Sequence, residues 1–352
     1  MLQLVPLLNN LRLFDTDDDS IERRFKNHLE RIRLDKFSGE EDSWELVKLT
    51  PKDRKKIKRR ADRIIEARSK FSRGTHLTNT DKKLLKPAMD GVRLLGPRLE
   101  HEVDEIASTL YQEMPWLQQA INEIWLDMRH SVGFGEGGLK LKPTLLVGGA
   151  GLGKTHLVRR LADLCGLPTV HVDGGAGSEG FPIAGLTRGW GGAECGRPLK
   201  TMLSSKVANP VVVIDEIDKA GTSFGTSGTS TSMHASLLGL LEPVSAVDWP
   251  CPYYQLSCDM SRINWLMTAN DVGRIPGLLL SRLRIIHVNQ PSTTQMAFFL
   301  EKEVFRRKLP ESCLDTLKKI ADKANDSGTL SVRLMVRLLD ELQRFEALPI
   351  RH

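Results

Sequence analysis

Short apolar segments alternate with amphipathic ones through the middle of the chain. The apolar segments occupy residues 144–147, 169–172, 211–214, 264–268 and 285–288. Segments this short and this apolar are typical of parallel strands that are buried on both faces by helices. The alternation therefore predicts an α/β domain with a parallel sheet flanked by helices, over residues 113–290.

Helical periodicity dominates the region before this domain, residues 1–112. The clearest case is the basic segment 51–73, where Thr50 can cap the helix, Pro51 suits its first turn, and Asp53 lies near the positive end of its dipole. Apolar residues recur along one side of this segment at helical spacing. We therefore expect a helical N-terminal region that contains a basic helix.

Helices also follow the α/β domain. The sequence "SVRLMVRLLDELQRF" predicts an amphipathic helix that Ser331 caps. Residues 291–352 as a whole predict a small α-helical domain. Two more helices are expected at about 100–112 and 115–129, and the glycine-rich segment 133–138 is expected to be a flexible joint.

Composition places the chain among ordinary soluble proteins. Of its 352 residues, 40% are hydrophobic and 27% are charged. No apolar run reaches the roughly 20 residues of a membrane span, and the N-terminal "MLQLVPLLNN" lacks the basic leader of a secretory signal. The five cysteines are scattered, which favours a reducing compartment over a disulfide framework. We expect a cytoplasmic protein that has no association with membranes.

The net charge of +6 is concentrated in one segment. Residues 51–73 contain eleven Lys and Arg against three Asp and Glu, so this segment carries +8 and the remainder of the chain is slightly acidic. Such a helix can simply present its cations to water while its apolar side packs on a neighbour. It can equally bind nucleic acid or an acidic partner, because basic stripes attract phosphates without reading bases. The sequence leaves both interpretations open.

A glycine-rich turn joins the first apolar segment to a helical one. Gly148, Gly153, Lys154 and Thr155 satisfy the spacing G-x-x-x-x-G-K-[ST], which lets backbone N–H groups surround phosphate oxygens. Lys154 would contact the β- and γ-phosphates of ATP, and the hydroxyl of Thr155 would ligate Mg²⁺. The predicted nucleotide-binding residues are Gly148, Gly149, Ala150, Gly151, Leu152, Gly153, Lys154, Thr155 and His156.

A pair of carboxylates ends the third apolar segment, "VVVIDEID". Asp215 follows Lys154 by 61 residues and would hold Mg²⁺ together with Thr155. Glu216 would polarise the attacking water as a general base. An acidic cap on a core strand is the simpler interpretation of either residue alone, but the glycine-rich turn upstream favours a hydrolytic site.

Together these features resemble a P-loop NTPase of the AAA+ class, and within it the module of Lon proteases. The resemblance runs from Pro115 to the C-terminus and includes "NPVVVIDEIDKAG", "MTANDVGRIPGLLLSRLRII" and "SVRLMVRLL". It implies that residues 291–352 are the α-helical lid of the module. Only about twenty residues follow Arg333, too few for the family's peptidase domain, so we expect no protease activity in this chain.

The resemblance assigns further catalytic residues. Asn270 corresponds to the sensor that positions the attacking water, and Arg333 to the arginine of the lid helix. Arg282 corresponds to the arginine finger that reaches the nucleotide of a neighbouring subunit. The family's aspartate before that arginine is Ser281 here, so Arg284 is kept as an alternative finger.

Two loops resemble those that face the central pore of the family's rings. Trp190 lies in "RGWGG", on the position of the aromatic residue that grips substrate, while Cys195 replaces a proline before Gly196. A rigid aromatic between glycines suits gripping of an extended polymer better than packing in a core. The small polar residues 220–232 are expected to form a second, mobile loop.

The function implied is Mg²⁺-dependent ATP hydrolysis by a homo-oligomer, a ring of six subunits in the family. The ring would remodel or translocate a polymer, with protein as the first expectation for the client, or act for a separate effector. One alternative keeps the ATPase but is stimulated by nucleic acid through residues 51–73. Another is a nucleotide-gated assembly switch that turns over slowly. A small-molecule kinase is disfavoured, because it does not need a finger or a lid arginine.

Overall fold

The computed structural model describes residues 3–9, 11, 18–37, 48–71, 74, 76–175, 180–189, 191–220, 222–224 and 230–346. Contacts divide the chain into two compact units. The smaller unit is Asn10–Lys86, and the larger one combines Met1–Asn9 with Pro87–His352. The domain boundaries expected after residues 112 and 290 stay predictions.

Helices make up the smaller unit. They are α1 (Asp18–Phe37), α2 (Pro51–Phe71) and α3 (Asn79–Leu85). The helix expected at 51–73 is confirmed to Phe71, and residues 72 and 73 lie outside the described residues. Its start is stabilised by Thr50, whose hydroxyl oxygen accepts from the Asp53 backbone N at 3.2 Å, while the Asp53 carboxylate accepts from the Thr50 backbone N at 3.0 Å.

The larger unit is built around a parallel sheet of five strands. The strands are β4 (Thr144–Val147), β5 (Thr169–Asp173), β6 (Val211–Asp215), β11 (Asn264–Ala269) and β12 (Arg284–His287), in the order β12-β4-β11-β6-β5. Every residue of β4 and β11 is buried, as are the first four of β6. The five strands expected from the apolar segments are confirmed, with ends that differ by a residue. The α/β fold class is therefore established.

Helices surround this sheet and continue beyond it. They are α4 (Glu100–Glu113), α5 (Gln118–Gly133), α6 (Lys154–Leu164), α7 (Phe181–Ala184), α8 (Arg197–Ser205), α9 (Met233–Leu241), α10 (Pro243–Val247) and α11 (Gly277–Leu280). The C-terminal helices are α12 (Thr293–Arg306), α13 (Ser312–Asp326) and α14 (Val332–Glu346). The Ser331 hydroxyl oxygen accepts from the Leu334 backbone N at 3.2 Å, as expected of a cap on the last helix.

Short antiparallel strands add features that the hydrophobic pattern did not predict. Within the N-terminal region, β1 (Leu4–Val5) pairs with β3 (Val92–Arg93). From the same region, β2 (Leu8–Asn9) pairs with the distant β10 (Leu256–Cys258). Strand β10 also pairs with β9 (Trp249–Cys251). Two-residue strands are too short to show a period, and their partners lie up to about 250 residues away along the sequence, so local patterns do not reveal them.

The loop expected at 220–232 contains a short hairpin. Strands β7 (Thr222–Phe224) and β8 (Ser230–Ser232) pair antiparallel, and residues 221 and 225–229 lie outside the described part of the chain. Among the described residues, no helix combines the length and the apolar character that crossing a membrane requires.

Candidate nucleotide hydrolysis site

The glycine-rich turn connects β4 to α6 at the carboxyl edge of the sheet. Gly151 and Gly153 adopt positive φ angles of 77° and 86°, which side chains with a Cβ rarely tolerate. A Cβ on Gly148 would lie 2.4 Å from the Val288 carbonyl oxygen. The three glycines are therefore required by the path of the backbone, which places the free N–H groups of the α6 N-terminus beside the turn.

The ammonium group of Lys154 lies inside this turn. Its Nζ donates to the carbonyl oxygens of Gly148 at 2.6 Å and Gly149 at 2.8 Å, and lies 3.4 Å from Oδ1 of Asn270. Burial lowers the pKa of Lys154, an effect that Asp215 partly offsets. Because these three partners are neutral oxygens, a fully charged phosphate oxygen would bind the ammonium more strongly.

Asp215 ends β6 and faces two hydroxyl groups. Thr155 Oγ1 donates to its carboxylate oxygens at 2.9 and 3.0 Å, and Thr268 Oγ1 donates to its Oδ1. A hydroxyl and a carboxylate are hard oxygen donors of the kind that Mg²⁺ prefers. No group of three or more His, Cys, Asp or Glu side chains suited to a metal occurs among the described residues. This donor set fits an ion that completes its coordination with water and phosphate oxygens.

Glu216 adopts an unusual backbone conformation. Its φ and ψ are 52° and 48°, in the left-handed region, and its backbone N donates to Thr268 Oγ1 at 3.0 Å. Its carboxylate accepts from Lys219 Nζ at 2.6 Å, and both side chains are partly exposed. Left-handed residues that are not glycine concentrate at functional sites, where the surrounding structure holds them in place.

Asn270 follows the end of β11, the strand next to β6. Its backbone N and that of Asp271 both donate to Oδ2 of Asp218 at 3.2 Å. Asp218 is only 7% exposed, so this carboxylate fixes the turn after β11 to the turn after β6. The structure thus brings Lys154, Asp215 and Asn270 to one edge of the sheet.

The two candidate finger arginines have different surroundings. Arg284 donates to Glu123, Asp127 and Thr144, and its side chain is 17% exposed. Arg282 is 30% exposed and forms an ion pair from Nε to Glu242 at 3.1 Å. Arg284 is therefore fixed within its own chain, whereas Arg282 lies nearer the surface.

The start of α14 contacts the glycine-rich turn. The backbone N of Arg333 donates to the Gly151 carbonyl at 3.2 Å, and the Arg333 side chain is exposed. A Cβ on Gly151 would lie 3.2 Å from that of Arg333. The last helix thus reaches the turn, as expected of a lid.

Trp190 lies outside the described residues, so the gripping role stays a prediction. The loop that carries it is closed at its base, where Leu186 N donates to the Glu194 carbonyl at 3.0 Å. Cys195, on the same base, is buried, and burial raises the pKa of its thiol to about 11. Arg188 lies over the ring of Tyr253, 4.6 Å from its centroid, which fixes one side of the loop to the turn between β9 and β10.

Three residues near the site were missed by the sequence analysis: Thr268, Glu242 and Trp116. Thr268 lies inside an apolar strand and gave no signal of its own. Trp116 Nε1 donates to the carbonyl of Leu152 at 2.8 Å, and it lines a cleft of about 530 Å³ together with His287 and Gln295. The sequence predicts only a helix start at Pro115, which gives the tryptophan after it no separate signal.

Comparison with known proteins agrees with this geometry. Residues 144–290 match the family described as ATPase family associated with various cellular activities (AAA). The chain is 30% identical over 178 residues to Lon protease 4 of Sorangium cellulosum, covering 50% of this chain and 22% of that protein. It is 28% identical over 229 residues to the mitochondrial Lon protease homolog of Phaeodactylum tricornutum, covering 62% and 25%. The chain thus spans about a quarter or less of the length of these relatives.

Solved structures share the fold. Hsp104 with ATPγS and FITC casein, in a closed state, superposes with a TM-score of 0.54 at 16% identity, covering 92% of this chain and 58% of that one. An extended Saccharomyces cerevisiae Hsp104–casein complex gives 0.54 at 15%, covering 92% and 61%. With the sheet and the glycine-rich turn, the family match shows that residues 144–290 form an AAA domain, which is similar in sequence to Lon proteases.

Proposed function

We propose that this chain is a Mg²⁺-dependent AAA+ ATPase that remodels or translocates a polymer, with protein as its client. One observation carries the proposal: Lys154 lies within 3.4 Å of Asn270, while Thr155 is bonded to Asp215. A cation, a hydroxyl, a carboxylate and an amide from three separate segments thus meet at one edge of the sheet. Such a set suits phosphoryl transfer to water.

Different residues of the site bind the phosphates, the metal ion and the attacking water. Lys154 and the N–H groups of residues 148–156 hold the β- and γ-phosphates, and the cleft beside Trp116, with a volume of about 530 Å³, accommodates the nucleoside. Thr155 and Asp215 would hold Mg²⁺, which neutralises charge on the phosphate oxygens when bound. Asn270 orients the water.

Glu216 accepts the proton of the attacking water. The water oxygen then bonds to the γ-phosphorus as the bond to the β–γ bridging oxygen breaks, giving ADP and phosphate. Glu216 is paired with Lys219, so that ion pair must open before the carboxylate can act as a base. This requirement favours slow ATP turnover in the absence of a client or effector. The alternative function, a nucleotide-gated assembly switch, would keep this slow turnover.

The finger is supplied by a neighbouring subunit. Arg282 is accessible, whereas Arg284 is fixed by Glu123 and Asp127, so we assign the finger to Arg282. A finger acting between subunits makes hydrolysis depend on assembly, which supports a homo-oligomeric ring, six-membered as in the family. Arg333 would sense the bound nucleotide from the lid helix, and Trp190 would grip the client.

All five cysteines are free thiols, four of them buried. Free thiols persist where the surroundings are reducing, so we place the protein in the cytoplasm.

A second candidate function is stimulation by nucleic acid. Five exposed cations follow the outer side of α2 over about 16 Å at helical spacing. They are Lys52, Lys55, Lys56, Arg59 and Arg63. No aromatic residue interrupts this stripe, so it would contact phosphates and not stack on bases. If all five bind, the logarithm of the duplex affinity should fall with the logarithm of salt with a slope of about −4 to −5.

The deciding experiment measures the ATP turnover of the full chain against unfolded casein, single-stranded DNA, duplex DNA and RNA. Stimulation by casein alone supports the protein client. Stimulation by nucleic acid that is lost in Lys55→Glu/Arg59→Glu supports the second candidate. Lys154→Ala is the control in every arm. Turnover by wild type no greater than by that variant would overturn the ATPase proposal.

A further inference from the structure

Thr268 lies near the carboxyl end of β11, the central strand of the sheet between β4 and β6. The residue is 1% exposed, in a strand whose other buried positions are mostly apolar. A buried hydroxyl needs partners of its own, because an unpaired one loses the hydrogen bonds that water would supply.

The partners of this hydroxyl are the two acidic residues of the neighbouring strand end. Oγ1 donates to the Oδ1 of Asp215 and accepts from the backbone N of Glu216 at 3.0 Å. A hydroxyl is the smallest group that donates and accepts at once. Thr268 therefore links the carboxylate of one residue to the main chain of the next.

Both links constrain the direction of a carboxylate. The bond to Asp215 Oδ1 comes from the adjacent strand β11, while Thr155 approaches the same carboxylate from α6, so the carboxylate is held between two hydroxyls. The bond from Glu216 N stabilises a left-handed conformation that glutamate seldom adopts. The opposite side of this turn is closed by Gly174, where a Cβ would lie 2.7 Å from the Glu216 carbonyl oxygen.

We propose that Thr268 is a positioning residue that aims Asp215 and Glu216 through a single hydroxyl. It contacts neither phosphate nor water in this role. The kinetic consequence rests on the proposed ATPase function, whereas the conformational consequence at Glu216 does not. The two can therefore be tested apart.

The test is Thr268→Val, which keeps the shape of the side chain and removes the hydroxyl. Because the Glu216 amide then loses its acceptor, its hydrogen exchange in the nucleotide-free chain should become at least about tenfold faster. The turnover number should fall about 10–100-fold, the range typical of outer partners of a metal-binding carboxylate. ATP affinity should change less than about threefold, because Lys154 and the glycine-rich turn are untouched.

Two controls separate positioning from a general effect on stability. Thr268→Ser keeps the hydroxyl and should restore slow exchange and most of the turnover. Thr144→Val removes another fully buried strand hydroxyl, one that donates to Lys142 and accepts from Arg284. It should lower the melting temperature while leaving the turnover number and Glu216 exchange near those of wild type.

Unchanged Glu216 exchange together with unchanged turnover in Thr268→Val would overturn the proposal. If the wild type itself shows no ATP turnover, the ATPase proposal fails, and the exchange rate of the Glu216 amide alone decides the role of Thr268. Should the valine variant not fold, Thr268→Cys replaces it, since a thiol is a weak donor and acceptor and predicts the same two changes in milder form.

Discussion

At the scale of single residues, the site is defined by what each side chain is bonded to before any substrate arrives. Lys154 is held by carbonyl oxygens, Asp215 by two hydroxyls, and Glu216 by Lys219. Their types and spacing are visible in the sequence. Their partners are not, because Thr268 and Lys219 become relevant only through strand register and the left-handed turn at Glu216.

Glu216→Gln separates nucleotide binding from hydrolysis. The amide keeps the size of the side chain but cannot take a proton, so turnover should fall about 10²–10⁴-fold while ATP affinity stays within a few-fold of wild type. Lys219→Met is the matched comparison: it frees the carboxylate and should keep or raise basal turnover. Steady-state ATPase assays and binding of a fluorescent ATP analogue measure the two quantities. Normal turnover in Glu216→Gln would mean that another group is the base.

At the scale of elements, strand ends meet so closely that small residues are mandatory. Gly174 follows β5, where its backbone N donates to the Asp215 carbonyl at 2.7 Å. A Cβ there would lie 2.7 Å from the Glu216 carbonyl oxygen and 3.0 Å from that of Asp215. Both obstacles are backbone atoms, which cannot move aside as a flexible side chain would.

Gly174→Ala should therefore displace the turn after β6. We expect a loss of stability of about 1–3 kcal/mol, the usual range for overpacking, with a fall in turnover that exceeds any loss of ATP affinity. Gly133→Ala is the control, because a Cβ at Gly133 meets nothing within 4 Å. Thermal unfolding and ATPase assays compare the two. Equal behaviour of both variants would show that the turn tolerates the added methyl group.

The start of helix α2 should make the stability of the fold depend on pH. Hydrogen bonds from the side chain and backbone of Thr50, with a further one from Arg33, lower the pKa of Asp53 to about 2, from 3.8. A carboxyl whose pKa is lower in the folded state stabilises that state above pH 3.8 and loses the contribution as pH falls towards 2. Thr50→Val should raise the pKa of Asp53, as a carbon-13 NMR titration of its carboxyl would measure. An unchanged pKa of Asp53 in this variant would show that the hydrogen bonds from Thr50 do not stabilise its carboxylate.

At the scale of the whole molecule, the roles of Arg282 and Arg284 decide whether a single chain can hydrolyse ATP. Arg284 joins α5 to the sheet through Glu123 and Asp127. Arg284→Ala leaves the nearly buried Asp127 without its cation, so it should destabilise the fold by about 3–5 kcal/mol. Arg282→Ala should change stability little and abolish most turnover, because a finger is worth about 10³ or more in rate.

Mixing two inactive variants tests the assembly directly. Arg282→Ala subunits bind ATP but supply no finger, whereas Lys154→Ala subunits supply a finger but bind ATP poorly. Mixed assemblies should recover part of the ATPase rate, because some intact sites then face an intact Arg282. An absence of recovery in assemblies shown to contain both variants would place the finger within a single subunit.

The sequence by itself determined the five strands of the parallel sheet, the main helices and the chemistry encoded by contiguous residues. Short apolar runs specified the strands of the parallel sheet because burial on both faces leaves few polar positions. The glycines of residues 148–155 specified the turn, because the backbone there adopts positive φ angles at Gly151 and Gly153 and leaves no room for a Cβ at Gly148. Tertiary structure alone decided which residues meet across strands. It joined Thr268 to Asp215 and Glu216 across 53 and 52 positions, and it distinguished Arg282 from Arg284 by burial. These contacts depend on strand register and packing depth, which no local pattern of hydrophobic and polar residues records.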